Sequence, residues 1–179
     1  MTDPKYIVDF WREAGQEKWF GGGPEFDSEC DARFHELHFM AAERRLDAWR
    51  ETAEGTLALL ILLDQIPRNI FRGTAHQFAT DPLARSIARH AVDAGFDQQI
   101  DPVLRVFFYL PFEHSEDAAD QARAAALYAA MPNGDQGGWA KKHADVIAQF
   151  GRFPHRNRVL GRESTAAEQA WLDAGGGFG

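Results

Sequence analysis

Apolar residues recur at helical spacing along most of the chain, in runs bounded by residues that typically begin or end helices. Asp-Pro pairs at residues 3–4, 81–82 and 101–102 each place a capping acid before a proline suited to the first helical turn. Thr165 and Glu168 have the spacing of a capping box. The pattern therefore predicts a helix after each of these signals.

Further helices follow from the apolar spacing and from the glycines. Gly15 is expected to end the first helix, and Gly151 to end a helix over residues 139–150. An alanine-rich helix is predicted from residue 115 or 116 to residue 130, closed by the Pro-Asn-Gly sequence at 132–134. Another is predicted over residues 27–40, continuing after a break to residue 49.

Two apolar segments, residues 57–63 and 106–110, lack the polar positions that separate a helix from a strand. Leucine and alanine dominate the first, which favours a buried helix. The second follows an Asp-Pro pair, which favours a short helix ending before Pro111. Since two strands alone make a poor sheet, the chain is predicted to be all-α, with about seven to nine helices and short connections between antiparallel neighbours.

Length and composition restrict the class of protein further. With 179 residues, of which 45% are hydrophobic, residues 1–179 are predicted to form a single helical domain. The net charge of −8 disfavours general nucleic-acid binding. The longest apolar run is far shorter than the ~20 residues that cross a bilayer, so no membrane association is expected. A secretory signal is not apparent and Cys30 is the single cysteine, so a cytoplasmic location is expected.

Three stretches carry more polar chemistry than an ordinary helical protein requires. The first, residues 64–73, contains Pro67, which should end or kink the helix near Ile66 and free a carbonyl near Leu63 for Arg68 or Arg72. The second, residues 109–121, follows an aromatic run and gathers His114 with several acids. The third, residues 150–162, places four arginines and one histidine in an acidic protein.

Arginine offers a planar fork that matches carboxylate and phosphate, so the third stretch either pairs with acids elsewhere or holds an anionic ligand. Because burying unpaired charges is unfavourable, the stretch is expected to lie against Asp64–Arg72 and Glu113–Glu116. Phosphate-binding, hydrolase and zinc-protease motifs are missing. Although His114, Glu116 and His143 are suitable metal ligands, and His35 and His38 are three residues apart, no spacing requires a metal. Neither a metal nor a cofactor is predicted.

The three stretches, together with the residues around them, resemble the signatures of the bacterial family called domain of unknown function 924. The segments are LLDQIPRN at 62–69, LPFEHSE at 110–116 with DQ at 120–121, and FGRFPHRN at 150–157 with LGR at 160–162. The resemblance implies paired antiparallel helices in a compact right-handed superhelix, similar to tetratricopeptide-type folds. It implies no activity.

Three functions are compatible with these residues. In the first, the polar stretches line a cleft that binds an anionic small molecule or a peptide carboxylate. In the second, His114 or His155 is the general base of a hydrolase or transferase, oriented by Glu116 and assisted by Arg152 and Arg156. In the third, the charges form a structural ion-pair lattice in a surface-interaction protein. The predicted ligand-binding residues are Asp64, Arg68, Asn69, Arg72, His114, Glu116, His143, Arg152, His155, Arg156 and Asn157.

Overall fold

A computed structural model describes residues 3–132, 134–135 and 137–178, and within these ranges the regular elements are helices, with no strand. The prediction of an all-α fold is therefore confirmed. The α-helices are α1 (Pro4–Gly21), α2 (Gly23–Ala42), α3 (Ala53–Leu60), α4 (Ile66–Ile70), α5 (Asp81–Asp93), α6 (Val106–Glu113), α7 (Ala118–Ala129), α8 (Trp139–Phe150) and α9 (Ala166–Asp173). A π-helical turn, Ile61–Gln65, joins α3 to α4. Short 3₁₀ turns lie at Asp47–Glu51, Ala75–Phe78, Asp97–Gln99 and Pro154–Arg156.

Two of the four predicted helix caps are confirmed, while at α5 Thr80 rather than Asp81 is the cap residue, with no side-chain hydrogen bond, and Asp101 is followed by a turn rather than a helix. The Asp3 carboxylate accepts a hydrogen bond from the Lys5 N–H at the start of α1. Both halves of the capping box between Thr165 and Glu168 are present at α9. The cap of α7 is Asp117, whose carboxylate accepts from the second and third N–H groups of the helix, so the predicted start at residue 115 or 116 was too early. Asn133, part of the predicted end of this helix, lies outside the described residues.

Other predicted boundaries were wrong as well. Gly15 does not end α1 but kinks it, with φ 73° and ψ 172°, because glycine adopts this backbone conformation without a steric penalty. Helix α2 begins at Gly23 rather than at residue 27. Helix α6 begins at Val106, after a turn that follows the Asp-Pro pair, and it continues through Pro111 to Glu113.

Contacts divide the chain into two compact units. Unit 1 contains Met1–Arg72 and His76–Pro111, and unit 2 contains Gly73–Ala75 and Phe112–Gly179. The single-domain interpretation and the superhelical arrangement remain predictions.

The core of unit 1 is built around the apolar segment that includes α3. Helix α3 contacts α1 and α5, and α2 contacts α4. Every side chain from Leu57 to Leu63 is at most 1% exposed. Because neighbours cover all sides of this segment, it has no polar face, which explains the continuous apolar pattern.

Pro67 lies in the buried helical segment that runs from α3 through the π turn into α4, and it determines the local geometry there. Proline has no N–H and its ring clashes with the carbonyl one turn earlier, so the α-helical hydrogen bond to the Leu63 carbonyl is lost there. The chain widens into a π turn, in which the Ile66 N–H donates to the Ile61 carbonyl. The helix then resumes as α4, so the prediction of an end or kink near Ile66 is replaced by an inserted π turn.

The carbonyls in the π turn receive donors from other elements. The His38 Nδ1 lies 2.9 Å from the Leu62 carbonyl oxygen, and the Thr80 hydroxyl donates to the Leu63 carbonyl at 2.5 Å. The Arg68 guanidinium donates to the Asp64 carbonyl. The sequence analysis expected an arginine at the Leu63 carbonyl, whereas the donor is a threonine from the start of α5. The carbonyls of Leu62, Leu63 and Asp64 are thereby satisfied.

The core of unit 2 is smaller and contains more aromatic residues. Helices α7 and α8 contact one another. Val146, Ile147 and Phe153 form a buried cluster, against which Phe150, Trp171 and Phe178 are packed and partly buried. Phe153 is fully buried, and the polar residues Arg156 and Asn157 that follow it are buried as well.

None of the helices in the described ranges has the length and apolar character needed to cross a bilayer.

Replacing Leu63 with Ala should lower the free energy of unfolding by about 2–5 kcal/mol, since the loss of transfer energy is accompanied by a cavity. Leu63 is 0% exposed. Chemical denaturation of the variant measures this loss, with Leu160→Ala as the control because Leu160 is 38% exposed. A loss below about 1 kcal/mol would contradict the central position of this helix.

Replacing Thr80 with Val should cost about 1–3 kcal/mol, because the shape of the side chain is kept while the buried Leu63 carbonyl loses its donor. The Thr80→Ser variant retains the hydroxyl and serves as the matched control. If the Val variant is as stable as the Ser variant, the hydroxyl is not needed to satisfy the π turn.

Candidate functional site

The first polar stretch is tied into unit 1 by its own charges. The Arg68 guanidinium forms a bidentate pair with the Asp81 carboxylate, with both N–O distances 2.9 Å. Arg68 also lies 3.4 Å from the Asp64 carboxylate, which accepts a hydrogen bond from the Gln65 amide. Asp64 is 1% exposed, so its charge is balanced inside the protein rather than by solvent.

A second bidentate pair joins the end of this stretch to α2. The Arg72 guanidinium donates to both oxygens of Asp27 at 2.9 and 3.0 Å, and the Asn69 amide donates to the same carboxylate. Burial alone would raise the pKa of Asp27, but the donors from Arg72 and Asn69 lower it. Asp27 is therefore held ionised as a structural partner.

In unit 2, the third stretch meets the second at Glu116. The Arg162 guanidinium donates to both Glu116 oxygens at 2.8 and 3.0 Å, and the Phe153 N–H donates to the same carboxylate at 2.8 Å. Although burial would raise the pKa of Glu116, these hydrogen bonds lower it. The expected approach of residues 152–162 to Glu113–Glu116 is present here, while their approach to Asp64–Arg72 stays a prediction.

Arg152 and Asn157 are engaged near the start of α9. The Arg152 guanidinium donates to both oxygens of Glu168 at 2.6 and 2.8 Å. The Asn157 amide donates to the Ser164 hydroxyl, and its oxygen accepts from Arg162. Glu163, which is nearer to Arg152 in sequence than Glu168 is, offers it only a backbone carbonyl, so the acid that pairs with Arg152 is Glu168.

The end of α6 is satisfied by a buried amide and a buried histidine. The Gln121 amide donates to the carbonyls of Glu113 and Ser115 at 2.7 and 2.6 Å, which caps the helix. The His143 Nδ1 lies 3.0 Å from a Glu113 oxygen and 2.8 Å from the Trp139 carbonyl. Since both neighbours are acceptors, Nδ1 carries the proton.

Three histidines and one arginine gather around Phe153. We call His114, His143, His155 and Arg156 the histidine–arginine cluster. The His114 and His143 rings are 6.2 Å apart, and the rings of His143 and His155 each lie 5.6 Å from that of Phe153. The Arg156 Cζ lies 4.4 Å from the Phe153 ring centre, in a cation–π contact.

The cluster keeps the imidazoles of His143 and His155 neutral. Burial, and then the neighbouring His114, lowers the pKa of His143 well below its ordinary value. Burial, and then the charge of Arg156, lowers the pKa of His155 to about 4. At neutral pH both imidazoles therefore offer one N–H donor and one acceptor, beside the permanent charge of Arg156.

A histidine nitrogen of the cluster lacks a hydrogen-bond partner in the described ranges. The Nδ1 of His155 is buried, and it has no hydrogen-bond partner in the part of the chain that the structure describes. A buried polar atom without a partner costs about 1–3 kcal/mol. Such atoms in a native protein mark a position where a ligand or a water molecule supplies the missing hydrogen bond.

An aromatic side chain near the C-terminus covers this cluster. The Phe178 ring stacks on the His143 ring with centroids 3.8 Å apart and planes inclined by 20°. The edges of Phe153 and His155 meet the same ring at 6.0 and 5.4 Å. The sequence analysis missed Phe178 because a single aromatic residue among glycines has no periodic pattern.

Metal chemistry finds no support in the described ranges, where no three His, Cys, Asp or Glu side chains form a group that could hold an ion. His114, Glu116 and His143 do not form the three-ligand site considered from the sequence. Burial raises the pKa of the Cys30 thiol to about 12, so it is not a thiolate at neutral pH.

A groove of about 340 Å³ beside α1 and α2 in unit 1 was not anticipated. Its lining includes Tyr6, Phe10, Glu13, Lys18 and Arg33. These residues are spread over two helices at ordinary surface positions, so no motif in the sequence singles them out. The guanidinium of Arg33 lies over the Phe10 ring and forms an ion pair with Glu29. The positive charge of Arg33 is therefore already balanced within the groove.

The sequence and the fold can now be compared with known proteins. The model of a family described as bacterial protein of unknown function, DUF924, matches residues 7–176. The chain belongs to this family. The matched region includes all three polar stretches and most of both units. The polar stretches therefore lie in the part of the chain that the family model describes.

A solved structure from Agrobacterium tumefaciens, described as the protein of unknown function ATU0120, is 52% identical in sequence with a TM-score of 0.91. The match covers 96% of this chain and 97% of the other. No curated protein matches the chain. The comparisons therefore assign the family and support the all-helical fold, while the function of this DUF924 protein has to be argued from its residues.

The depressed pKa of His155 predicts a loss of stability in mild acid. In the unfolded chain the imidazole gains its proton near the ordinary value of 6.5, whereas in the folded protein it does so only near 4. Unfolding is therefore favoured as the pH falls from about 6.5 towards 4. His155→Gln should lose less unfolding free energy over this window than the unmodified protein, as measured by urea denaturation at each pH. Equal losses would show that His155 is not held neutral by the fold.

Proposed function

We propose that this DUF924 protein is a binding module whose site is the histidine–arginine cluster of unit 2, and that its ligand is an anionic small molecule or a peptide carboxylate. The observation that carries the proposal is the buried His155 Nδ1, which has no partner among the described residues. With its N–H on Nδ1, a neutral His155 donates a hydrogen bond to a ligand oxygen.

Charge supports an anion as the ligand. Arg156 is 7% exposed, and its positive charge contributes to the lowered pKa values of both His143 and His155. A negative charge placed beside the cluster would interact favourably with the guanidinium in a region of low dielectric. Carboxylate and phosphate groups also match the planar geometry of a guanidinium.

The other residues predicted to bind a ligand form ion pairs and hydrogen bonds that stabilise the fold. The guanidinium groups of Arg68, Arg72, Arg152 and Arg162 each donate to a carboxylate of their own unit. Releasing any of these forks to a ligand would leave a partly buried carboxylate without its partner. We therefore assign a structural role to these pairs and to the residues bound to them: Asp64, Asn69, Glu116 and Asn157.

Catalysis is less well supported than binding. In the cluster, the His143 imidazole lies 3.0 Å from a Glu113 carboxylate oxygen, and both side chains are at most 8% exposed. A general base needs its substrate within hydrogen-bond reach. Glu116, considered from the sequence as the group that orients a histidine, is instead bound to Arg162 and to the Phe153 N–H.

Binding of acetate and inorganic phosphate tests the proposal by isothermal titration calorimetry. Arg156→Met should reduce the affinity for the bound anion at least about tenfold, since a charge-assisted hydrogen bond contributes more than 1.4 kcal/mol. Arg158→Met is the matched control, because Arg158 is exposed two residues away. It should leave the affinity unchanged.

His155→Gln provides a second test that does not remove the charge, and circular dichroism reports whether each variant is folded. Weaker binding in a folded His155→Gln variant would support the site. If neither anion binds, or if both cluster variants bind as the unmodified protein does, the proposed function is wrong. Unfolding of Arg156→Met with unchanged binding by His155→Gln would instead favour a purely structural lattice.

A further inference from the structure

We infer that the cluster takes a carboxylate attached to an aromatic ring, and that Phe178 occupies the ring position as an intramolecular ligand. This inference rests on the proposed function, since it names the class of ligand for the same site. It adds a second recognition element, a seat for a flat ring, to the anion-binding groups.

The seat is defined by three rings. His143 provides a stacking face, at 3.8 Å between centroids, while Phe153 and His155 present their rings nearly at right angles to Phe178, at 85° and 86°. Stacked and edge-to-face contacts are the arrangements that aromatic rings prefer. A seat of this kind favours a flat ring over an aliphatic group of similar size.

The path of the chain into this seat is specific. Gly175 and Gly177 have φ values of 84° and 145°, which residues with a side chain rarely adopt. At Gly176 an added Cβ would lie 2.3 Å from the Trp171 ring. Three consecutive glycines therefore permit a tight turn over Trp171, and this turn delivers the Phe178 ring to His143.

The seat and the anion-binding groups are adjacent. Phe153 contacts the Phe178 ring on one side and the Arg156 guanidinium on the other, at 6.0 and 4.4 Å from its own ring centre. His155 contributes a ring edge to the seat and the buried Nδ1 to the anion-binding groups. One ligand with a ring and a carboxylate separated by a short linker would reach both.

The experiment compares phenylacetate, cyclohexylacetate and acetate on the full chain by isothermal titration calorimetry. Phenylacetate should bind about fivefold more tightly than cyclohexylacetate, which has the same charge and similar size but no aromatic face. In Phe178→Ala, the affinity for phenylacetate should rise about tenfold. The reason is that the Phe178 ring is tethered to the protein by a short segment, so it competes with the ligand at an effective concentration in the millimolar range. The affinity for acetate should change little.

Phe20→Ala is the control, since Phe20 is a 62% exposed phenylalanine of unit 1, and it should bind all three probes as the unmodified protein does. Phe178→Leu keeps an apolar side chain without the stacking face and should give a smaller rise than Phe178→Ala. Circular dichroism confirms that the variants are folded.

The alternatives are separable. Equal affinities for acetate and phenylacetate in every variant would overturn the ring position and leave the proposed anion site intact. Weaker binding of phenylacetate by Phe178→Ala would show that Phe178 is part of the binding surface rather than its occupant, which also overturns the inference. If no probe binds to any variant, the proposed function fails together with the inference.

Discussion

A proline in a buried helix leaves backbone carbonyls that side chains must satisfy, and the polar contacts around the π turn of unit 1 depend on this requirement. Pro67 supplies no N–H to the Leu63 carbonyl, and its ring disturbs the preceding helical turn. The neighbouring carbonyls lie in an interior that water does not reach, so other side chains must satisfy them. His38, Thr80 and Arg68 do so around the π turn. Arg68 in turn pairs with Asp81, so the charge of Arg68 in the first polar stretch is explained by this requirement.

In unit 2, the hydrogen-bond partners of the buried polar groups distinguish structural residues from a candidate site. Glu116 satisfies the Phe153 N–H and Arg162, and Arg152 satisfies Glu168. Gln121 caps the carbonyls at the end of α6. After these pairs are assigned, the buried Gln121 Oε1 and the buried Nδ1 of His155 have no partner among the described residues, and His155 is the one that lies beside the charge of Arg156. The binding site is therefore proposed where hydrogen bonding inside the protein is incomplete, not where charges are most numerous.

Much of the fold was predictable because helix signals are local. The capping box at Thr165 and Glu168 and the helix over Trp139–Phe150 are confirmed at the predicted positions. The π turn was not predictable, because proline indicates only that a regular helix is interrupted. Whether the chain ends, kinks or widens depends on donors such as Thr80 that are distant in sequence. Family membership followed from three motifs, although they carry no information about activity.

The candidate site was only partly predictable, for a similar reason. The sequence indicates which residues can bind an anion, but the pairing of each arginine is settled by the fold. Arg152 pairs with Glu168 and Arg72 with Asp27, and neither acid belongs to the three polar stretches. The contact of Phe178 with His143 depends on a glycine turn that has no sequence signature beyond its composition.

The central claim is that the cluster in unit 2 binds a ligand, whereas Arg68, Arg72, Arg152 and Arg162 have structural roles. The most direct test is ¹⁵N nuclear magnetic resonance of the histidine and arginine side chains during a titration with acetate. The account predicts saturable shifts for His155 and Arg156, with Arg68, Arg72, Arg152 and Arg162 unmoved. Shifts in any of those four guanidinium groups, with none at His155, would contradict it.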